Sequence, residues 1–191
     1  MKINNIKTKQ APIAFKNIIL WRHAEAHPAL AQADEDYLLQ SEQRDLARTL
    51  TPKGKQQAKR MGNWLNERLP KDFLLVSSPA MRAYQTAQAL KCEIMVLESL
   101  KPNANLQQVL TTLACLDTNI QNVLLVGHQP WLWQLVAHLT SFTAQEISIK
   151  KGAIWWLRLS LGVTKQTTIE TTIETSMHYN ITAVQSPSLL T

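Results

Sequence analysis

Asn17-Ile18-Ile19-Leu20-Trp21-Arg22-His23-Ala24-Glu25-Ala26 is a run of β-favouring apolar residues that ends abruptly in an Arg-His pair. Such a run reads as a buried strand, and a pair at its carboxyl end sits where open α/β sheets place their ligand crevice. An Arg-His pair alone is weak, because a histidine beside a strand is more often a structural hydrogen-bonding group. Two further runs add weight. Phe73-Leu74-Leu75-Val76 leads into Ser77-Ser78-Pro79-Ala80-Met81-Arg82, and Val123-Leu124-Leu125-Val126 leads into Gly127-His128. If the three strand tips are neighbours, Arg22, Arg82, His23 and His128 form a compact cationic cup. Guanidinium forks match phosphate oxygens, and a neutral imidazole can attack phosphorus.

The segments between these strands read as helices. Thr51-Pro52 is a helix start, with Thr as N-cap and Pro at the first helical position, and Ala58, Met61, Leu65 and Leu69 follow at helical spacing up to Pro70. Ser78-Pro79 repeats the start signal for a helix to about Leu90, which places Arg82 in the first turn. Ile94 to Leu97 is expected to be a strand, followed by Glu98. Leu106, Val109, Leu110, Leu113 and Leu116 make an apolar helical stripe capped by Asn105. Gln129-Pro130 opens another helix, Gly152 to Ser160 alternates as a strand, and Tyr179 to Val184 suits a last one. Trp155 and Trp156 then point to opposite faces of one strand.

The blocks Arg22-His23-Ala24, Ser77-Ser78-Pro79-Ala80-Met81-Arg82-Ala83-Tyr84-Gln85-Thr86-Ala87 and Val126-Gly127-His128 together resemble the histidine phosphatase superfamily, also called phosphoglycerate-mutase-like. Asp45-Leu46-Ala47-Arg48-Thr49-Leu50-Thr51-Pro52-Lys53-Gly54 is most similar to its phosphohistidine phosphatase SixA branch. Order and spacing match from about residue 17 to about residue 160. One departure is Ala24, where the superfamily usually has Gly; it adds a methyl where backbone would approach phosphate. The resemblance implies a three-layer α/β/α sandwich with a mainly parallel central sheet. It implies His23 as the nucleophile, which forms a phosphohistidine that water then hydrolyses. Arg22 and Arg82 would hold the phosphoryl oxygens, and His128 would donate to one of them. Glu98 is similar in position to the acid of the mutase-like relatives; Glu25 is a second candidate, and a solvated surface role is the alternative for both. Trp131 and Trp133, just after His128, either roof the pocket or pack in the core. His27, His138 and His178 fit no block and read as structural or surface residues.

At 191 residues the chain suits one domain with a real core. Within residues 1–191, a loosely ordered lead-in is expected over 1–15. The long connection 27–49 reads as a lid over the site or as a plain surface helix. Residues 163–178, which carry the tandem Thr167-Thr168-Ile169-Glu170 and Thr171-Thr172-Ile173-Glu174, read as a hairpin extension or loop. The basic N-terminal segment lacks the apolar core of a secretory signal, and no run reaches the roughly 18 apolar residues of a membrane span. A cytoplasmic protein without membrane attachment is therefore expected. Cys92 and Cys115 have no metal-ligand spacing and read as reduced thiols. No metal or other cofactor is expected. The net charge of +6 comes from Lys and Arg spread along the chain without a dense block, which argues against nucleic acid as a partner. The expected activity is that of a metal-independent phosphatase working through a phosphohistidine, with protein phosphohistidine as the preferred substrate and a small sugar or nucleotide phosphate as the alternative. A non-catalytic phosphate-binding protein on the same fold is the rival.

Overall fold

β1 (Asn17–Arg22) runs through the middle of the molecule, and its residues up to Trp21 are buried. Ile18 and Leu20 face one apolar cluster, whereas Ile19 and Trp21 face another. That alternation is what a strand with helices on both faces requires, and it explains why the run is continuously apolar rather than alternating. In this computed structural model the described residues are 13–29, 37–117, 119–140, 148–163 and 175–190. The expected lead-in lies almost wholly outside them, as do residues 30–36 of the long connection and the Thr-rich tandem.

The helices are α1 (Tyr37–Ala47), α2 (Pro52–Asn66), α3 (Met81–Ala87), α4 (Leu106–Ala114) and α5 (Trp131–Thr140). The strands after β1 are β2 (Phe73–Ser77), β3 (Met95–Val96), β4 (Asn122–Gly127), β5 (Ile154–Val163) and β6 (Thr175–Gln185). They form one sheet in the order β3-β2-β4-β1-β5-β6. From β3 to β1 every pairing is parallel, and β5 and β6 add an antiparallel edge. α2 and α3 cover one face through Met61, Leu65, Ala83 and Ala87, while α4 and α5 cover the other through Val109, Leu113, Leu132 and Leu135. The expected α/β/α sandwich with a mainly parallel sheet is the observed fold. Burying each such side chain contributes roughly 1.5–3 kcal/mol against the entropy of ordering the chain.

Several elements differ from expectation in their limits. α3 begins at Met81 with Ala80 as its N-cap, two residues later than Ser78-Pro79 suggests, although the Ser78 hydroxyl accepts the Ala80 N–H. β3 is only two residues long, since Met95 and Val96 are exposed on the sheet edge. β5 and β6 are longer than their apolar cores, pairing as a hairpin out to Val163 and Thr175. Trp131 is fully buried and Trp133 half-buried against the same cluster, so both pack in the core instead of roofing a pocket. Among the described residues, no helix is long and apolar enough to cross a membrane.

Candidate active site

Parallel pairing aligns the carboxyl ends of three strands. Arg22 of β1 lies opposite Gly127 of β4, and Ser77 of β2 lies opposite Val126. The ladder continues one step past each tip: the His23 N–H donates to the Gly127 carbonyl, and the Ser78 N–H donates to the Val126 carbonyl, each at 3.0 Å. Sheet register therefore sets His23, Ser78 and His128 side by side, and the His23 and His128 ring centroids are 5.0 Å apart. On the outer side of β1, Gly152 adopts φ +75° and its N–H meets the Arg22 and His23 carbonyls, both at 3.1 Å. A side chain there would be strained, so glycine suits that turn.

His23 is 7% exposed. Its Nδ1 lies 2.8 Å from the Ala24 carbonyl. A carbonyl only accepts, so Nδ1 carries the proton and Nε2 keeps its lone pair. Burial, followed by Arg82, Arg22 and Lys151, pushes the His23 pKa down to about 3, with the Ala24 carbonyl opposing. His128 is pushed down to about 2 by burial, then by His23, Arg82 and Arg22. Both imidazoles are thus neutral near pH 7, as a nitrogen nucleophile must be.

The two arginines are gripped from behind. Arg22 donates through NH1 to the Ile149 carbonyl. Arg82, 4% exposed, donates through NH1 to the Asp45 carbonyl and through NH2 to Asp45 Oδ2 at 2.8 Å. The Nε atoms of both, like Nδ1 of His128, are buried without a partner among the described residues. Native interiors seldom leave such groups unpaired, so the two Nε–H groups, and Nδ1 where it carries the proton, are open to an anion. Burial lowers both guanidinium pKa values, Asp45 opposing it for Arg82, yet a guanidinium stays charged.

Arg22, His23, Arg82 and His128 are therefore assembled as the strand tips suggest. Among the described residues, no hydrogen bond or ion pair draws Glu98 or Glu25 into the cup. Glu98 is largely exposed and pairs with Lys101 at 3.0 Å, while Glu25 pairs with Lys53 at 3.0 Å and accepts from Thr51 Oγ1. Sequence reasoning missed three supports: Asp45, Ser78 and Thr86. Thr86 Oγ1 donates to the Arg82 carbonyl at 2.7 Å and accepts the Ala24 N–H at 3.1 Å. The i, i+4 spacing of Arg82 and Thr86 on one helix was the available signal. The extra methyl of Ala24 is fully buried in a cluster of small side chains with Ala26, Leu50 and Ala58, which accommodates it away from the rings. Cys92 and Cys115 are unpaired and exposed.

Known proteins resemble the chain in sequence and in fold. Residues 18–107 match the model of the histidine phosphatase superfamily (branch 1). A Haemophilus influenzae protein described as a phosphohistidine phosphatase SixA homolog is 32% identical over 138 residues, covering 64% of this chain and 76% of its own length. Among solved structures, the protein histidine phosphatase SixA complexed with tungstate superposes with a TM-score of 0.66 at 23% identity, covering 92% of this chain and 99% of its own. The mycobacterial glucosyl-3-phosphoglycerate phosphatase does so with a TM-score of 0.58 at 16% identity, covering 87% and 96%.

Proposed function

From the premise that this chain belongs to the histidine phosphatase superfamily, we propose that it hydrolyses protein phosphohistidine through a phosphorylated His23. The observation that carries this reading is the His23 ring, held neutral with Nε2 free, beside His128 and in the field of the half-buried Arg22 and the buried Arg82. In the first step the Nε2 lone pair attacks phosphorus, the substrate P–N bond breaks, and the departing imidazole takes a proton from solvent. In the second, water attacks the His23 phosphorus, releasing inorganic phosphate and restoring the free ring. Arg22 and Arg82 carry the charge that spreads over the equatorial oxygens, which is where electrostatic catalysis acts most strongly. They supply the positive charge that a metal would otherwise bring, so turnover is expected to survive EDTA.

The substrate class follows from the leaving group. An alkyl alkoxide needs a positioned proton donor, worth roughly 10²–10⁴-fold in rate, whereas imidazole leaves readily once protonated. With the carboxylates of Glu98 and Glu25 both occupied by lysines, P–N substrates are favoured over alkyl P–O substrates. The two exposed, unpaired thiols suit a reducing compartment, and on that ground we place the enzyme in the cytoplasm. The test is turnover of a phosphohistidine peptide and of phosphoramidate against a panel of sugar and nucleotide phosphates, with His23→Ala as the inactive control. Faster turnover of P–N substrates and acid-labile label on His23 are expected. Preference for a sugar phosphate would make this a metabolite phosphatase, and no turnover at all would leave only phosphate binding.

A further inference from the structure

Which nitrogen of His128 bears the proton decides what that ring can do. A phosphoryl oxygen can be held only by an N–H, and among the described residues Nδ1 is the nitrogen without a partner. The other nitrogen, Nε2, lies 2.8 Å from Ser78 Oγ. Distance alone leaves two arrangements: Nε2–H donating to the hydroxyl, or the hydroxyl donating to a bare Nε2.

The surroundings of Ser78 choose between them. Ser78 is fully buried, and its Oγ already accepts the Ala80 N–H at 3.2 Å. A hydroxyl has one proton to give, and among the described residues the acceptor it meets is His128 Nε2. In the reverse arrangement the hydroxyl would accept twice and its own proton would be stranded in the interior, the costly outcome for a buried donor. The chain of bonds then runs from the Ala80 N–H to Ser78 Oγ, and from its O–H to Nε2. We infer that Ser78 is a positioning residue that fixes His128 as its Nδ1–H tautomer, making the ring a neutral hydrogen-bond donor to the phosphoryl group. This rests on the phosphoryl-transfer reading of the site and names how its second histidine is prepared.

Long-range proton–nitrogen NMR of the resting enzyme, labelled at histidine, reads the tautomer directly and needs no substrate. His128 should show a protonated Nδ1 and a bare Nε2, and a protonated Nε2 would overturn the proposal even if phosphatase activity is high. Ser78→Ala should change that signature and lower kcat for phosphoramidate on the order of 10²-fold, the scale of losing one preorganised donor, with a smaller change in KM. Ser77→Ala is the control for general loosening, since the Ser77 hydroxyl meets the Ser78 carbonyl and not His128. In a His128→Ala background, Ser78→Ala should cost almost nothing more, because the two act as one unit. Additive losses, or an equal loss in Ser77→Ala, would reduce Ser78 to a packing residue. Should Ser78→Ala fail to fold, the parent spectrum and Ser78→Cys, which keeps a weak donor, decide the matter. An enzyme with the expected tautomer but no turnover would instead sink the functional reading and leave this one standing.

Discussion

At the scale of single residues, Asp45 shows how Arg82, the arginine proposed to bind phosphate, is held ready. Its carboxylate bridges Arg48 at 2.7 Å and Arg82 at 2.8 Å, and its carbonyl takes a further N–H of Arg82. Burial works against the Asp45 charge, but the hydrogen bonds from Arg48 and Arg82 outweigh it and keep its pKa below the ordinary value. Because Asp45 engages NH1 and NH2, the Nε side of Arg82 remains for substrate, so the aspartate orients the guanidinium instead of competing for it. Asp45→Asn keeps an acceptor oxygen and loses the charge; Asp45→Ala loses both. We expect kcat/KM for phosphoramidate to fall roughly 10-fold in the first and further in the second, the ordinary range for loss of a positioning contact. A gain in activity for Asp45→Asn would show the carboxylate to be a competitor. Asp45 and Ser78 were illegible in the sequence because they are distant from what they support. Asp45 lies 37 residues from Arg82 and Ser78 lies 50 from His128, so no local pattern announces them, whereas Thr86 sits one turn from Arg82 and only its bond to Ala24, 62 residues away, had no local sign. The four cup residues were legible because each ends or follows an apolar run.

Among the elements, two identical start signals met different fates, and the difference is physical. Thr51-Pro52 caps α2 as written, with the Thr51 side chain accepting the Gly54 N–H. Ser78-Pro79 does not open α3: the helix begins at Met81 after Ala80, and the Ser78 hydroxyl accepts the Ala80 N–H just ahead of it. Likewise the full strands β1, β2 and β4 were readable from composition, since helices cover both faces, whereas the edge strand β3 keeps only the two residues that β2 can pair. The junction of β4 with α5 is the tightest of these joints. A methyl at Gly127 would stand 1.9 and 2.3 Å from ring atoms of Trp131, which is itself fully buried and has nowhere to move. Gly127→Ala must therefore push the strand tip and the helix apart. Overpacking of this kind costs about 1–3 kcal/mol, and here the shift falls on His128, the next residue. Urea unfolding and turnover should both register it, activity falling at temperatures where the variant is still folded. A variant with parental stability and kcat would mean that the junction is looser than the ring contacts indicate.

For the whole molecule, the sheet order converts three separate strand tips into one site, and the cost of that convergence is visible as pH dependence. The repeated strand-helix pattern implied parallel strands, but that β4 lies between β1 and β2 is set by the pairing itself. What pattern alone did not reveal is that β5 and β6 turn back as an antiparallel edge, which rests on their pairing beside β1 and not on any periodicity of their own. Closing the site beneath these strands buries His23 and His128 among cations, so the folded state holds both rings neutral down to about pH 3 and about pH 2. In the unfolded chain each recovers an ordinary histidine pKa near 6.5. Between those values the unfolded state binds more protons than the folded one, so stability rises with pH and is lost as pH falls below about 6.5. From pH 7 to pH 5 the loss should be about 2 kcal/mol for each buried histidine. The lowered carboxylate pKa of Asp45 acts only in more acidic solution, which leaves this window to the histidines. Urea midpoints measured at pH 7 and pH 5 should therefore drop markedly for the parent protein. The drop should be about half as large for His23→Ala, where one of the two titrating rings is gone. A parent whose midpoint is the same at both pH values would show that the rings are not held neutral by burial, and the basis for a ready His23 nucleophile would go with it.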